Sequence, residues 1–476
     1  MAQKQQLTSE QPIKRRGIAR SLNPIKTSFF DLYKIGPGPS SSHTIGPMKA
    51  ARHFLHELRR LDSQAKKRAS SLQIFLFGSL SATGKGHGTD RALVAGLLDW
   101  TPDALDPDFF RSLLAEDSDS YPIDLHGAEV SFEDADIHFE AINHDYPFSN
   151  TIIMQLRDKD ERILKSREFY SVGGGFIQWK GMKEPEVDPP PYPYQNMTEL
   201  LQQLDDNDIE LYDLLLANEQ SISGESVRTI HSRLDRILDT MEQAVERGLN
   251  SKGVLPGTIG MNRKAPNLYH RARYQAHTED QHLVYLNAFC MAASEENAAG
   301  NIVVTAPTSG ASGVIPGLIY LLMHHHHIKR HKLREGLIVA AAIGFLVKHN
   351  ASISGAEAGC MGEVGTASAM GAAMVAYLYN AGIRCIQAAA EIALEHHLGM
   401  TCDPVGGYVQ IPCIERNAVG GVKAYNAYLL ASSGIPEQQK VSLDNVIEVM
   451  RETGRDMSRK YKETSEGGLA LSVTEC

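Results

Sequence analysis

Three cysteines and two histidine-bearing loops are the residues here whose types and spacing could do chemistry. Cys360 lies in SISGAEAGCMGEVG, Cys402 in HHLGMTCDPVGG and Cys413 in VQIPCIERN, a C-x41-C-x10-C spacing. That is neither the paired C-x2-C knuckle of a zinc site nor a ferredoxin run. Spacing alone leaves two readings open. The simpler is three buried structural thiols. The other is three thiolates holding three corners of a [4Fe–4S] cluster, with one iron left open to act as a Lewis acid on a hydroxyl. Cys476 ends the chain after GGLALSVTE, and spacing assigns it no role.

The first histidine stretch is GPGPSSSHTIGPM, Gly36 to Met48. Its Gly-Pro pairs and consecutive serines predict a loop. Hydroxyls and amides of Ser40, Ser41, Ser42 and Thr44 around His43 suit a small carboxylate, and an imidazole can take or give a proton. A plain Ser/Gly/Pro linker competes with that reading. The second stretch, TGKGHGTD over Thr83–Asp90, offers Lys85 and His87 but lacks the spacing of a nucleotide-binding P-loop. It is a ligand loop directly after a strand, or a surface hairpin. The run Gly173–Gly175 in YSVGGGF lets backbone approach a ligand, or makes a tight turn; HDYPFSN, from His144, is similar and weaker. In EENAAGNIVVTAPTSGASGVIP, from Glu295, a strand-like piece leads through a turn to a helix start able to hold an anion. The His324–His327 run reads as the solvated end of a helix rather than a metal site.

These groups must be positioned by elements. Leu72–Phe77 and Thr151–Leu156 are short, apolar and β-branched or aromatic, and predict strands. Ala51–Leu61 has helical spacing. Residues 27–181 therefore read as an α+β domain. Residues 182–250 read as a Pro-rich linker followed by connecting helices. Residues 251–476 are rich in Ala, Gly, Ser and Met, and stretches such as Leu337–Lys348 and Ala367–Tyr379 are apolar nearly all round, which predicts buried helices in an all-α second domain. Residues 1–26 are a basic extension, read as a tail, with an organellar leader as the lesser reading.

Composition excludes several classes. The chain has 476 residues, 42% hydrophobic content and a net charge of -10, so it is no general nucleic-acid binder. Its longest apolar stretches, such as Leu337–Val347, fall short of the ~20 residues of a membrane span, and no secretory leader is visible. Six sparse cysteines do not make a disulfide scaffold. A cytoplasmic, reducing location follows as the expectation.

Taken together, SSSHTIGPM, YSVGGGF, EENAAGN, VVTAPTSGASG, NASISGAEAGCMGEVGTASAMGAA, AEIALEHHLGMTCDPVGGYVQIPCIERNA and KYKETSEGGLALSV resemble the single-chain, iron–sulfur L-serine dehydratases over about Phe29–Cys476. The resemblance implies a β domain, an all-helical α domain, L-serine as substrate and a homodimer. It implies that Cys360, Cys402 and Cys413 ligate a [4Fe–4S] cluster and that Cys476 reaches back to cap its fourth iron. Cys290 and Cys385 fall outside these motifs and read as packing. Ser309 stands where many members have Asn, and residues 1–26 lie outside the pattern. On this reading His43 and His87, with Lys85 as a further candidate, carry proton transfer, and Ser40, Ser41, Ser42 and Thr44 hold the substrate carboxylate. The alternatives are a pyridoxal-phosphate dehydratase using Gly173–Gly175 with Lys85 or Lys264, another iron–sulfur hydro-lyase, or a cluster-based sensor.

Overall fold

Leu72, Ile74 and Leu76 alternate with less buried neighbours, and this period of two makes Ala69–Phe77 a strand with one face in the core. The computed structural model describes residues 23–115, 120–183, 189–274 and 277–472. Most of the basic extension, and Cys476, lie outside those residues.

In chain order the strands are β1 (Ile35–Pro37), β2 (Ala69–Phe77), β3 (Ser120–Asp124), β4 (Glu129–Glu133), β5 (Ile137–Phe139), β6 (Thr151–Asp158), β7 (Ile163–Ser171), β8 (Ile177–Trp179) and β9 (Ile302–Val304). Five of them form a sheet of order β5-β2-β6-β7-β8, antiparallel except for β2 with β5. The hairpin β3–β4 adds Ile123, Val130 and Phe132 to the same core. Helices Gly46–Leu58 and Thr89–Leu97 complete it with Phe54, Leu55, Leu93 and Val94. The expected α+β half is thus present.

The second half is helical. Thr366–Leu378 lies between Arg330–Asn350, Ile383–Glu395 and Cys413–Ser433, and nearly all its side chains are buried. Small residues permit this crowding: Cys290 sits where a Cβ on Gly421 would come within 2.6 Å of its sulfur, so it is a packing residue. His324–His327 begins at the last residue of helix Val314–His324, with His324, His325 and His327 exposed.

Connections near the start of the described chain join the halves. β1 pairs antiparallel with β9. Just before β1, Phe29, Leu32 and Tyr33 enter the helical core, where Phe29 stacks on Phe345 and the Tyr33 hydroxyl donates to the Leu337 carbonyl at 2.8 Å.

Two expectations about loops need correction. Ser41–Ile45 is a π-helical turn running directly into helix Gly46–Leu58, not an open loop. The Ser40 hydroxyl accepts from the His43 amide, and Pro47 falls in the first helical turn, where a missing N–H costs nothing. The stretch from Thr83 does not follow a strand directly, because helix Ser79–Thr83 intervenes.

Candidate active site

Cys360 follows the short helix Gly355–Ala358 and precedes a π-helical turn, Met361–Gly365, that feeds helix Thr366–Leu378. Cys402 lies in the loop after Ile383–Glu395, and Cys413 is the first residue of helix Cys413–Ser433. All three are buried and unpaired. The sulfurs of Cys360 and Cys402 and a carboxylate oxygen of Glu363 lie within 4.8 Å of one another. Gly310 and Gly355 make room for that carboxylate: a Cβ on either would come within 2.9 or 2.7 Å of its oxygens.

The electrostatics of this group are unbalanced. The Cys360 thiol is drawn down to about 7, first by a hydrogen bond with Cys402 and then by the Arg416 guanidinium. The bond with Cys360 and burial push Cys402 well up, and burial followed by the charge on Cys360 does the same to Cys413. Burial also raises Glu363 to about 8. Arg416, which bonds the Thr401 carbonyl at 2.6 Å and Asp403 at 3.1 Å, is a single cation among them. Three thiolates and a carboxylate would repel in so small a buried space. A soft cationic group would relieve that repulsion, and this donor set fits one.

Facing this group are two imidazoles from the other half. The rings of His43 and His87 are 4.5 Å apart and fully buried. Their hydrogen bonds fix their tautomers. The Ser79 hydroxyl donates its proton to the Glu463 carbonyl at 2.6 Å, so at 3.0 Å it accepts from His43 Nε2–H. His43 Nδ1 is then an acceptor, 2.8 Å from the Ser42 hydroxyl. His87 Nδ1 donates to the Thr83 carbonyl at 2.8 Å, which leaves a lone pair on Nε2 without a partner among the described residues. Burial, then the neighbouring His87, holds His43 well below the usual histidine range, and burial lowers His87 to about 4. Both rings are neutral.

Glu463 closes the gap between the two groups. Its Oε1 lies 3.6 Å from His43 Nδ1 and 3.8 Å from His87 Nε2. Its backbone is tied to Cys402: the Glu463 amide donates to the Cys402 carbonyl at 2.7 Å, and the Cys402 amide to the Tyr461 carbonyl at 2.7 Å. Burial, and then Glu363 and Cys360, favour its neutral form.

The serine turn is spent partly on its own architecture. Thr44 gives its proton to the His87 carbonyl at 2.8 Å, and Ser40 caps the turn. The Ser41 hydroxyl accepts from the Ser309 amide at 3.3 Å, and the Ser309 hydroxyl is buried with no partner among the described residues. Lys85 is not brought to the imidazoles: it is exposed, 5.5 Å over the Phe139 ring. Lys264 pairs with Glu415 at 2.5 Å on the surface. Gly173–Gly175, all at positive φ, pack against Ser354, Ile353 and Ile45. Sequence reasoning missed Ser79, Glu363, Arg416 and Glu463. Glu363 and Glu463 stand inside motifs quoted above, but only the fold reveals their burial.

Residues 28–182 match the family model described as serine dehydratase beta chain, and residues 206–470 match the serine dehydratase alpha chain. L-serine dehydratase 2 of Escherichia coli K12 is 41% identical over 465 residues, covering 94% of this chain and 99% of the relative. An L-serine dehydratase of Haemophilus influenzae is 39% identical over 458 residues, and one of Streptomyces coelicolor 41% over 460, each alignment covering 94% of this chain and 99% of the relative. With both family modules on one polypeptide and the cysteine and imidazole groups facing each other between them, the chain belongs to the serine dehydratase family.

Proposed function

We propose that this protein is an L-serine dehydratase that converts L-serine to pyruvate and ammonia. The observation that carries the reading is the opposition of three buried cysteines to two neutral imidazoles across Glu463. Serine's hydroxide is a poor leaving group and its Cα proton is weakly acidic, so both ends need help. A [4Fe–4S] cluster held by Cys360, Cys402 and Cys413 would supply, when bound, Lewis acidity toward a hydroxyl.

The chain's own residues do the rest. His87 Nε2, with its free lone pair, takes the Cα proton. The Glu463 carboxyl stands where a proton can pass between the imidazole pair and the departing hydroxyl. The Ser41 hydroxyl, which accepts from the Ser309 amide and keeps its own proton, holds the carboxylate with the Ser309 hydroxyl, while Ser40, Ser42 and Thr44 keep the turn and the His43 ring in place. Loss of water leaves aminoacrylate, which tautomerises and hydrolyses to pyruvate and ammonia. Cys476 is the proposed cap on the fourth iron. In support, Asp403 beside Cys402 accepts from the Leu469 amide at 2.8 Å. From Ser472, which follows the short helix Gly468–Leu471, the four residues to Cys476 can span up to about 13 Å.

The pyridoxal-phosphate reading loses its lysines, since Lys85 and Lys264 are at the surface. We also propose a cytoplasmic homodimer. The exposed apolar side chains Val419, Leu429, Leu430 and Ile435 support a self-association surface, and the unpaired cysteines suit a reducing compartment. Among the described residues no helix is long and apolar enough to cross a membrane. The division at about residues 27, 182 and 251 is kept as part of this proposal. An anaerobic absorbance spectrum followed by L-serine and a pyruvate assay tests the reaction. A broad band near ~400 nm that bleaches in air, with pyruvate formed, is expected. No pyruvate after cluster reconstitution would refute it.

A further inference from the structure

A cavity of about 260 Å³ lies behind the turn that carries His43, bounded by Phe30–Ile35, helix Gly46–Leu58 and helix Val227–Asn250. Nothing in the proposed reaction uses it. Lys34 and Lys49 line it. Lys34 Nζ donates to the carbonyls of Asp31 and, at 3.0 Å, Gly174, and sits 3.5 Å over the Phe176 ring. Lys49 Nζ donates to the Gly175 carbonyl at 3.2 Å.

Neither ammonium group forms an ion pair with a carboxylate among the described residues; their acceptors are neutral carbonyls. The other cations on the wall are already matched. Arg233 pairs with Glu225 at 2.6 Å and lies over Phe30, and Arg236 pairs with Asp103 at 3.4 Å. Asp31 is near enough to favour charge on both lysines but makes no ion pair with them. Lys348 adds a further positive group 4.3 Å from the Phe176 ring. Burial holds both lysines below their ordinary range, and each charge on this wall makes the next harder to keep. An anion would reverse that penalty.

We propose that this cavity binds one small oxyanion, a phosphate or carboxylate group, between the Nζ atoms of Lys34 and Lys49. Each ammonium has three N–H donors and is a compact point charge, which suits a single tetrahedral or planar oxyanion. The occupant sits against the back of the His43 turn, because Ile45, the last residue of that turn, lines the same cavity and touches the Gly175 backbone. Binding is independent of the reaction proposed above and is read without turnover.

Isothermal titration of the full chain with inorganic phosphate, and separately with acetate, at constant ionic strength tests this. One saturable site per chain is expected, weakened about tenfold or more by Lys49→Gln and likewise by Lys34→Gln, with an unchanged circular dichroism spectrum. Saturation by phosphate alone assigns a phosphate group; saturation by acetate assigns a carboxylate. If neither anion gives a saturable heat with the unaltered protein, the proposal fails. It fails equally if the folded lysine variants bind as the parent does.

Discussion

At the scale of single residues, the division of labour between the imidazoles follows from where their protons are. His43 is locked on both sides, by Ser79 at Nε2 and Ser42 at Nδ1. His87 is locked only at Nδ1, so its buried Nε2 keeps the unengaged lone pair that the proposed reaction uses. A glutamine at 87 can keep a bond to the Thr83 carbonyl but offers no comparable lone pair. For His87→Gln, kcat/KM for L-serine is expected to fall by roughly 10²- to 10⁴-fold while the anaerobic absorbance spectrum is unchanged. Activity within a factor of two of the parent would remove His87 as the base. Ser79 works through others: it orients His43 and holds the Glu463 backbone, which sits at φ +58. A non-glycine residue held there costs about 1 kcal/mol or more, sustained by its surroundings. Ser79→Ala should lower stability by about 1–3 kcal/mol, read by chemical denaturation, through the two bonds it loses. A change near zero would mean that Glu463 is held by Cys402 alone.

At the scale of elements, both halves of the site use one device. Ser41–Ile45 and Met361–Gly365 are π-helical turns, each continuing without a break into a buried helix, Gly46–Leu58 and Thr366–Leu378. Such turns project side chains off the regular helical path while the following helix fixes their position. The first is also held from the sheet, where the Ser171 hydroxyl at the end of β7 donates to the Ser42 carbonyl at 2.7 Å. A Cβ at Gly46 would collide with that hydroxyl. Gly46→Ala should therefore destabilise by about 1–3 kcal/mol. Combined with Ser171→Ala it should cost less than the sum of the two single changes, because the obstructing oxygen is gone. Strict additivity in a denaturation cycle would show that the clash is not what limits position 46. The strands β2 and β6 and the buried helices of the second half were legible because apolar period and β-branching survive in any context. The π turns were not: GPGPSSSHTIGPM carries loop residues, and only the Ser40 cap, the Ser171 bond and the packing of Ile45 on Gly175 wind it into a turn.

At the scale of the whole molecule, the site exists only because the two cores meet. The histidines come from one half and the cysteines from the other. The seams include the β1–β9 pair, the Gly173–Gly175 run against Ser354 and Ile353, and the Ser79 hydroxyl on the Glu463 carbonyl. Residues whose type announces chemistry, the cysteines and His43, were legible in the sequence. Glu463 was not, since an isolated glutamate near a chain end reads as solvated surface until the fold buries it.

The same holds for Glu219, which ties the chain's crossing between the halves to helix Leu211–Ser223. Its carboxyl accepts from the Ser28 hydroxyl at 2.6 Å and the Phe29 amide at 2.9 Å, yet burial outweighs both bonds and raises it to about 7. The sign follows by linkage. In the unfolded chain the group ionises near 4.5, while in the folded chain it stays protonated to about 7. Folding stability from this site is therefore full below pH 4.5, falls as pH rises from 4.5 to about 7, and is level above that, a loss of at most about 3 kcal/mol. Glu219→Gln stays neutral throughout and escapes the loss. Its Tm relative to the parent should rise from pH 5 to about pH 7 and then level off to pH 8. A Tm difference that stays constant over that range would mean that the Ser28 and Phe29 bonds outweigh burial and keep the carboxylate ionised at pH 5.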